Sequence, residues 1–315
     1  MTLPTALDAA PVPAGGRKAG LPPLILWGAL LAIGSAWGLS QLFSKIAMSG
    51  AIEPLGAAAW QAMVGAGVAL AALRLTGRRL PLTQRHLVFY AVCGLLGTAF
   101  PATLSYEAIR HLSVGIASII IATVPMLTVL LALPMGLERA EAKRLAGVAL
   151  GFTAILLLIG PEAALPGWGL AAWMILPLLA ALAYAGENVI IASYQPADIG
   201  PLETGCGLLL AATLMLLPPA LALGAVPIPG GAGWAAEGAL LACTVLNIFA
   251  YLGYVWLIRQ GGVVFTSQVG YIVTGTGVLA GMAFLDERHG WTVWLALAML
   301  FAGIALVSPR PVDRG

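Results

Sequence analysis

The sequence predicts an all-α integral membrane protein of ten transmembrane helices, arranged as two inverted five-helix repeats with cytoplasmic N- and C-termini. Three observations predict it. The 315-residue chain is 60% hydrophobic and 9% charged, with a mean hydropathy of +0.97; a soluble domain carries about 25% charged residues. Ten apolar stretches are long enough to cross or nearly cross a bilayer. A segment near the middle of the chain recurs near its end.

The ten stretches lie near 24–46, 54–75, 87–109, 112–136, 145–160, 167–193, 202–224, 236–258, 262–285 and 291–308. The first, at 23 residues, is longer than the apolar part of a signal peptide and is read as a span. The fifth is short, with Arg144 as an earlier starting point. All connections are brief. The chain then divides into a disordered cytoplasmic tail over 1–23, a first repeat over 24–160, a second over 167–308 and a cytoplasmic tail over 309–315. The Pro-, Ala- and Gly-rich opening is the reason for the first assignment.

The repeat aligns without a gap at an offset of 149, with 13 identities in 51 positions between 108–158 and 257–307. Composition alone would give roughly five. Arg110 falls on Arg259, Ser118 on Ser267, Glu138 on Glu287 and Arg139 on Arg288. At an offset of 147, Trp37 falls on Tyr184, Gln41 on Asn188 and Pro54 on Pro201. Five spans per copy is an odd number, so the copies face opposite ways. Inverted repeats of this kind characterise secondary transporters. With the N-terminus inside, 12 of the 15 Lys and Arg residues are cytoplasmic. Only Lys45, Arg110 and Arg288 are outside, as the positive-inside rule requires.

The "SAWGLSQLFSKIAM" opening, a fourth span with a central Pro125 ending in "LER", and "LDER" after the ninth span resemble the drug/metabolite transporter superfamily, in its EamA-type branch. The resemblance covers roughly residues 24–308. It implies a multi-pass protein of the bacterial inner membrane and a central cavity lined by spans 1, 3, 4, 6, 8 and 9. It implies a secondary transporter exporting a small metabolite, an amino acid or a drug-like amphipathic solute, by alternating access. An uncoupled facilitator and an importer of a vitamin- or nucleoside-type solute are the alternatives. Gln61 and Thr274 depart from the branch, where span 2 often has a basic residue and span 9 a proline.

Deep polar side chains fall on the expected cavity spans, where facing a cavity removes the penalty of burial in lipid. Span 1 carries Trp37, Gln41 and Ser44. Span 6 carries Tyr184, Glu187 and Asn188. Span 8 carries Asn247, Tyr251 and Tyr254, and span 9 carries Ser267, Gln268 and Tyr271. The substrate-binding candidates among them are Trp37, Gln41, Tyr184, Asn188, Asn247, Tyr251, Tyr254, Gln268 and Tyr271. The repeat diverges here: Asn247, Tyr251 and Tyr254 align with Thr98, Ala102 and Ser105. An asymmetric pocket for a planar or amphipathic solute follows. The same groups would also serve as ordinary interhelical hydrogen bonds, worth about 0.6–2 kcal/mol each.

Glu187 is the one acidic residue well inside a span, at a cost of about 2.5–3.5 kcal/mol on insertion scales. It is a candidate for proton coupling, for holding an ammonium group on the substrate, or for bracing a neighbouring helix. Lys45, Glu107 and Arg110, near the outer ends of their spans, are gate candidates; snorkelling and an i,i+3 pair are the plainer alternative. Pro125 is a hinge candidate. Glu138 and Glu287 read as turn markers, and the glycine pairs Gly34/Gly38, Gly147/Gly151 and Gly277/Gly281 as close helix contacts.

No cofactor and no metal are expected. The scattered Cys93, Cys206 and Cys243 read as small packing residues. The expected partners are a small-molecule substrate, the lipid bilayer and protons; a net charge of +2 gives no reason for nucleic acid. There is no ATP-binding motif and no HExxH. His86, His111 and His289 all lie at span ends, so an intramembrane enzyme is disfavoured.

Overall fold

The structure, a computed structural model, describes residues 22–137, 141–163, 169–227, 229–266 and 269–307. The expected tails lie almost wholly outside these, as do Glu138, Arg139, Ser267 and Gln268. The described residues are helical and contain no strand. The helices are α1 (Pro23–Met48), α2 (Pro54–Leu75), α3 (Gln84–Gly94), α4 (Phe100–His111), α5 (Val114–Ile121), α6 (Val124–Ala132), α7 (Ala142–Ala163), α8 (Gly169–Tyr194), α9 (Pro201–Ala222), α10 (Trp234–Thr266), α11 (Val269–Leu285) and α12 (Trp291–Val307). A π-helical turn, Leu95–Ala99, joins α3 to α4.

Seven described stretches are long and apolar enough to cross a membrane: Pro23–Met48, Pro54–Leu75, Gln84–His111, Val114–Ala132, Ala171–Tyr194, Pro201–Ala222 and Trp234–Tyr254. Leu145–Leu157, Val269–Leu285 and Trp291–Gly303 are shorter apolar helices. Proline sets many of the boundaries. Pro54, Pro125 and Pro201 all stand in the first turn of a helix, where the missing N–H has no intrahelical partner to lose.

The fifth stretch starts earlier than the apolar run, at Ala142. The fourth is interrupted. Ala122 and Thr123 end α5, and Pro125 begins α6 rather than bending an unbroken helix. The eighth runs the other way: the turn expected at 259–261 is absent, and α10 continues to Thr266. The repeat explains this difference. Gly261 and Gly262 align with Leu112 and Ser113. Ser113 stops the helix in the first half by adopting an extended backbone and accepting the Ile116 amide at 3.2 Å. Gly262 has no side chain to do so.

Small residues let the helices approach closely. Ala57, Ala58, Ala59 and Ala62 are fully buried. A Cβ at Gly34 would meet Ile272, one at Gly38 would meet Thr276, and one at Gly277 would meet Ser118. α1 packs mainly on α10 and α11, α2 on α9, α4 on α8, and α7 on α12. This pattern maps onto itself when each span is exchanged for the one five places along. Large apolar side chains such as Leu24, Leu214, Phe284 and Trp291 point outward, as lipid contact demands.

Candidate functional site

Four helices meet around the Cys243 thiol, which is 1% exposed. Gln61 of α2 donates its side-chain amide to Cys243 Sγ at 3.1 Å, and Asn247 donates to the same sulfur at 3.5 Å. The Tyr106 hydroxyl lies 4.0 Å from it. The thiol donates to the Ser40 carbonyl at 3.3 Å, and the Ser40 hydroxyl reaches Asn247 Oδ1 at 3.2 Å. Each buried polar group so gains a partner that lipid cannot provide. The reading of Cys243 as a packing residue missed this. The signal was present: Cys243, Asn247, Tyr251 and Tyr254 form one stripe at spacings of four, four and three.

Trp37 and Tyr254 meet across the α1–α10 contact, with ring centroids 5.4 Å apart and planes at 55°. They cover the cluster formed by Leu30, Ile33, Ala36, Ala250, Leu257 and Val269. Gln41, one turn beyond Trp37, is partly buried, and its side-chain amide has no hydrogen bond among the described residues. The Tyr251 hydroxyl lies against Gly205 of α9, where a Cβ would collide with it.

Glu187 stands opposite the π-helical turn. Its carboxylate is seated against Gly97, in the space that a Cβ there would fill. Pro101 accounts for the turn. It has no N–H for the Gly97 carbonyl four residues back, and the ladder widens so that Phe100 N–H bonds Leu95 O. Tyr184, Tyr251 and Cys93 are within electrostatic reach of Glu187, and Tyr184 is within reach of Tyr106. Among the described residues Glu187 has no hydrogen bond and no ion pair.

Two other candidates lie elsewhere. Asn188, one residue past Glu187, is rotated to an exposed position and donates to Thr128 Oγ1 at 3.3 Å. Tyr271 packs edge-on against Phe301 of α12 at 5.3 Å, beside the cluster that includes Ile119, Met126, Val148 and Leu300. Gln268 is outside the described residues.

The three gate candidates do gather at one end of the bundle, with a different wiring from a simple charge cluster. The Lys45 ammonium donates to the carbonyls of Ile109, Arg110 and Leu112 at 2.7, 3.2 and 2.8 Å, capping α4. Arg110 lies 3.6 Å from Glu53 and 3.7 Å from Glu107. Glu107 is shared with His111 at 3.4 Å, and the His111 ring stacks on Trp173 at 3.6 Å. An open cleft of about 390 Å³ between Lys45, Ser49, His111, Leu285 and Glu287 marks this end. Glu287 is more than a turn marker, since it accepts the amides of Val114 and Gly115. The opposite end is tied by Arg78 to Glu203 at 3.1 Å and by His86 to Asp198 at 3.1 Å.

The EamA-like transporter family model matches the chain twice, over residues 25–160 and 171–308. The protein named "Uncharacterized inner membrane transporter YedA" in three Escherichia coli strains is 28% identical over 290 residues, covering 90% of this chain and 91% of that one. A solved structure, described only as "Crystal structure of protein", superposes with a TM-score of 0.57 at 21% identity, over 90% of this chain and 95% of that chain. That likeness concerns the fold.

Proposed function

The chain belongs to the EamA-like transporter family, and we propose that it exports a small amphipathic or amino-acid-like metabolite across the inner membrane by alternating access. In this reading ten spans form two inverted repeats, 24–160 and 167–308, with both termini in the cytoplasm. Three observations support the topology: the doubled family match, the packing pattern that exchanges spans by five, and the contacts between loops assigned to one side. Arg78–Glu203 and His86–Asp198 join two inner loops, while a Cβ at Gly56 would meet Ala225 in an outer one.

The observation that carries the transport reading is the Glu187 carboxylate, seated on Gly97 without a counter-charge among the described residues. A carboxyl at helix centre costs about 2.5–3.5 kcal/mol, so an unpartnered one calls for a cation. A proton or a substrate ammonium supplies it. The Trp37–Tyr254 pair and the Gln41 amide then offer an aromatic wall and a hydrogen bond to the body of the solute. The inner-membrane assignment rests on the likeness to YedA.

The test is a thermal-shift panel on the purified protein, with amines, amino acids, nucleosides and carboxylic acids at equal concentration. Binding to the folded state raises the midpoint. Amphipathic amines or amino acids should shift it, and the shift should vanish in Glu187→Gln. A panel in which only anions stabilise the protein would refute the reading.

A further inference from the structure

Glu287 reaches from the turn after α11 to the start of α5. Its Oε1 accepts the Val114 amide at 2.6 Å and its Oε2 the Gly115 amide at 3.1 Å. With Ser113 holding the Ile116 amide, the first three free N–H groups of α5 are bound. A carboxylate is the favoured group at that position, because the helix dipole is positive there. The reach needs a particular backbone. Asp286 is the one non-glycine residue with positive φ (53°) among those described. The carboxylate also folds over Gly281, where a Cβ would collide with it. His289 closes the other side: its side chain is 3% exposed, lies against Gly115 and brings Nε2 to 3.4 Å from Glu287.

The α4–α5 connection is therefore gripped from two directions. Lys45 of α1 holds the last carbonyls of α4, and Glu287 of the other half holds the first amides of α5. Lys45 and Glu287 both line the cleft that lies alongside it.

We propose that Glu287 is a latch: its carboxylate on the α5 amides fastens the second half of the chain to the first at this end, and must let go for this end to open. The repeat does not duplicate the receiving site: Val263 and Val264, which align with Val114 and Gly115, lie inside the unbroken α10. The inference rests on the alternating-access reading given above.

Hydrogen exchange by mass spectrometry, on the full chain in lipid nanodiscs, reads both ends at once. Glu287→Gln should speed exchange over 112–121 by about tenfold or more, the effect of losing a charge-assisted pair of bonds. It should slow exchange at the opposite end, over 195–204, where Arg78–Glu203 and His86–Asp198 tie the bundle. Val114→Pro is the independent check. It deletes the receiving amide at a position where proline suits a helix start, leaves Glu287 intact, and should mimic Glu287→Gln. Faster exchange at both ends in either variant, or unchanged exchange over 112–121, overturns the latch. Solute binding in the thermal-shift panel does not involve these bonds, so the latch can fail while the transport reading stands, and the panel can fail while the exchange result stands.

Discussion

Gly97 decides where the Glu187 carboxylate can lie. No side chain other than hydrogen leaves room for it, since a Cβ at Gly97 would coincide with the carboxyl group. Gly205 plays the same part for the Tyr251 hydroxyl. Gly97→Ala should therefore act on the site more than on the fold. Overpacking costs about 1–3 kcal/mol, and the better helix propensity of Ala returns about 1 kcal/mol. The expected result is a thermal midpoint within a few degrees of the parent and at least tenfold weaker stabilisation by the solute found in the panel. Unchanged ligand stabilisation would show that the carboxylate does not need its seat. These residues were hard to read in sequence. Glu187 stood out because a charge in an apolar run is conspicuous. Gly97 was one of 39 glycines, and only the neighbour from α8 gives it meaning. Cys243 was passed over for a similar reason: a thiol becomes a hydrogen-bond centre only when Gln61, Ser40 and Tyr106 arrive from three other helices.

Interrupted helices line the site. The third span widens to a π turn ahead of Pro101, and the fourth breaks at Ala122–Thr123 ahead of Pro125. Both prolines were visible in the sequence, but their consequences were not alike. Pro125 starts a new helix, whereas Pro101 leaves the helix continuous and shifts its register. The shift sets the direction of Tyr106 and, through it, the contact with Cys243. Pro101→Ala restores the N–H that the Gly97 carbonyl lacks, so the turn should close into regular α-helix and rotate α4 against α3. Transport in proteoliposomes should fall at least tenfold while the thermal midpoint does not fall, because a helical proline costs about 3 kcal/mol relative to Ala. Full transport in that variant would mean the π turn positions nothing. The eighth span gives the contrasting lesson. Its apolar run ends at 258, ahead of Arg259, yet α10 runs to Thr266 because no proline or capping serine stops it.

Across the whole molecule, the family model matches both halves of the chain. The helical class was legible, because apolar runs mark the helices. The expected pocket was legible as a set of stripes, and its assembly was not. Trp37 and Tyr254 come together, Glu187 seats against Gly97, and Asn188 and Tyr271 turn elsewhere. Period alone cannot say which neighbour a stripe will meet, because that depends on helix rotation and on where each helix breaks. The central claim is that Glu187 carries the cation on which transport turns. It is tested most directly by flux of the identified solute in proteoliposomes under an imposed pH gradient, wild type against Glu187→Gln. Gradient-driven accumulation should be lost in the variant, at a protein level and thermal midpoint like those of the parent. Accumulation with the same rate and the same pH dependence in Glu187→Gln would contradict the account.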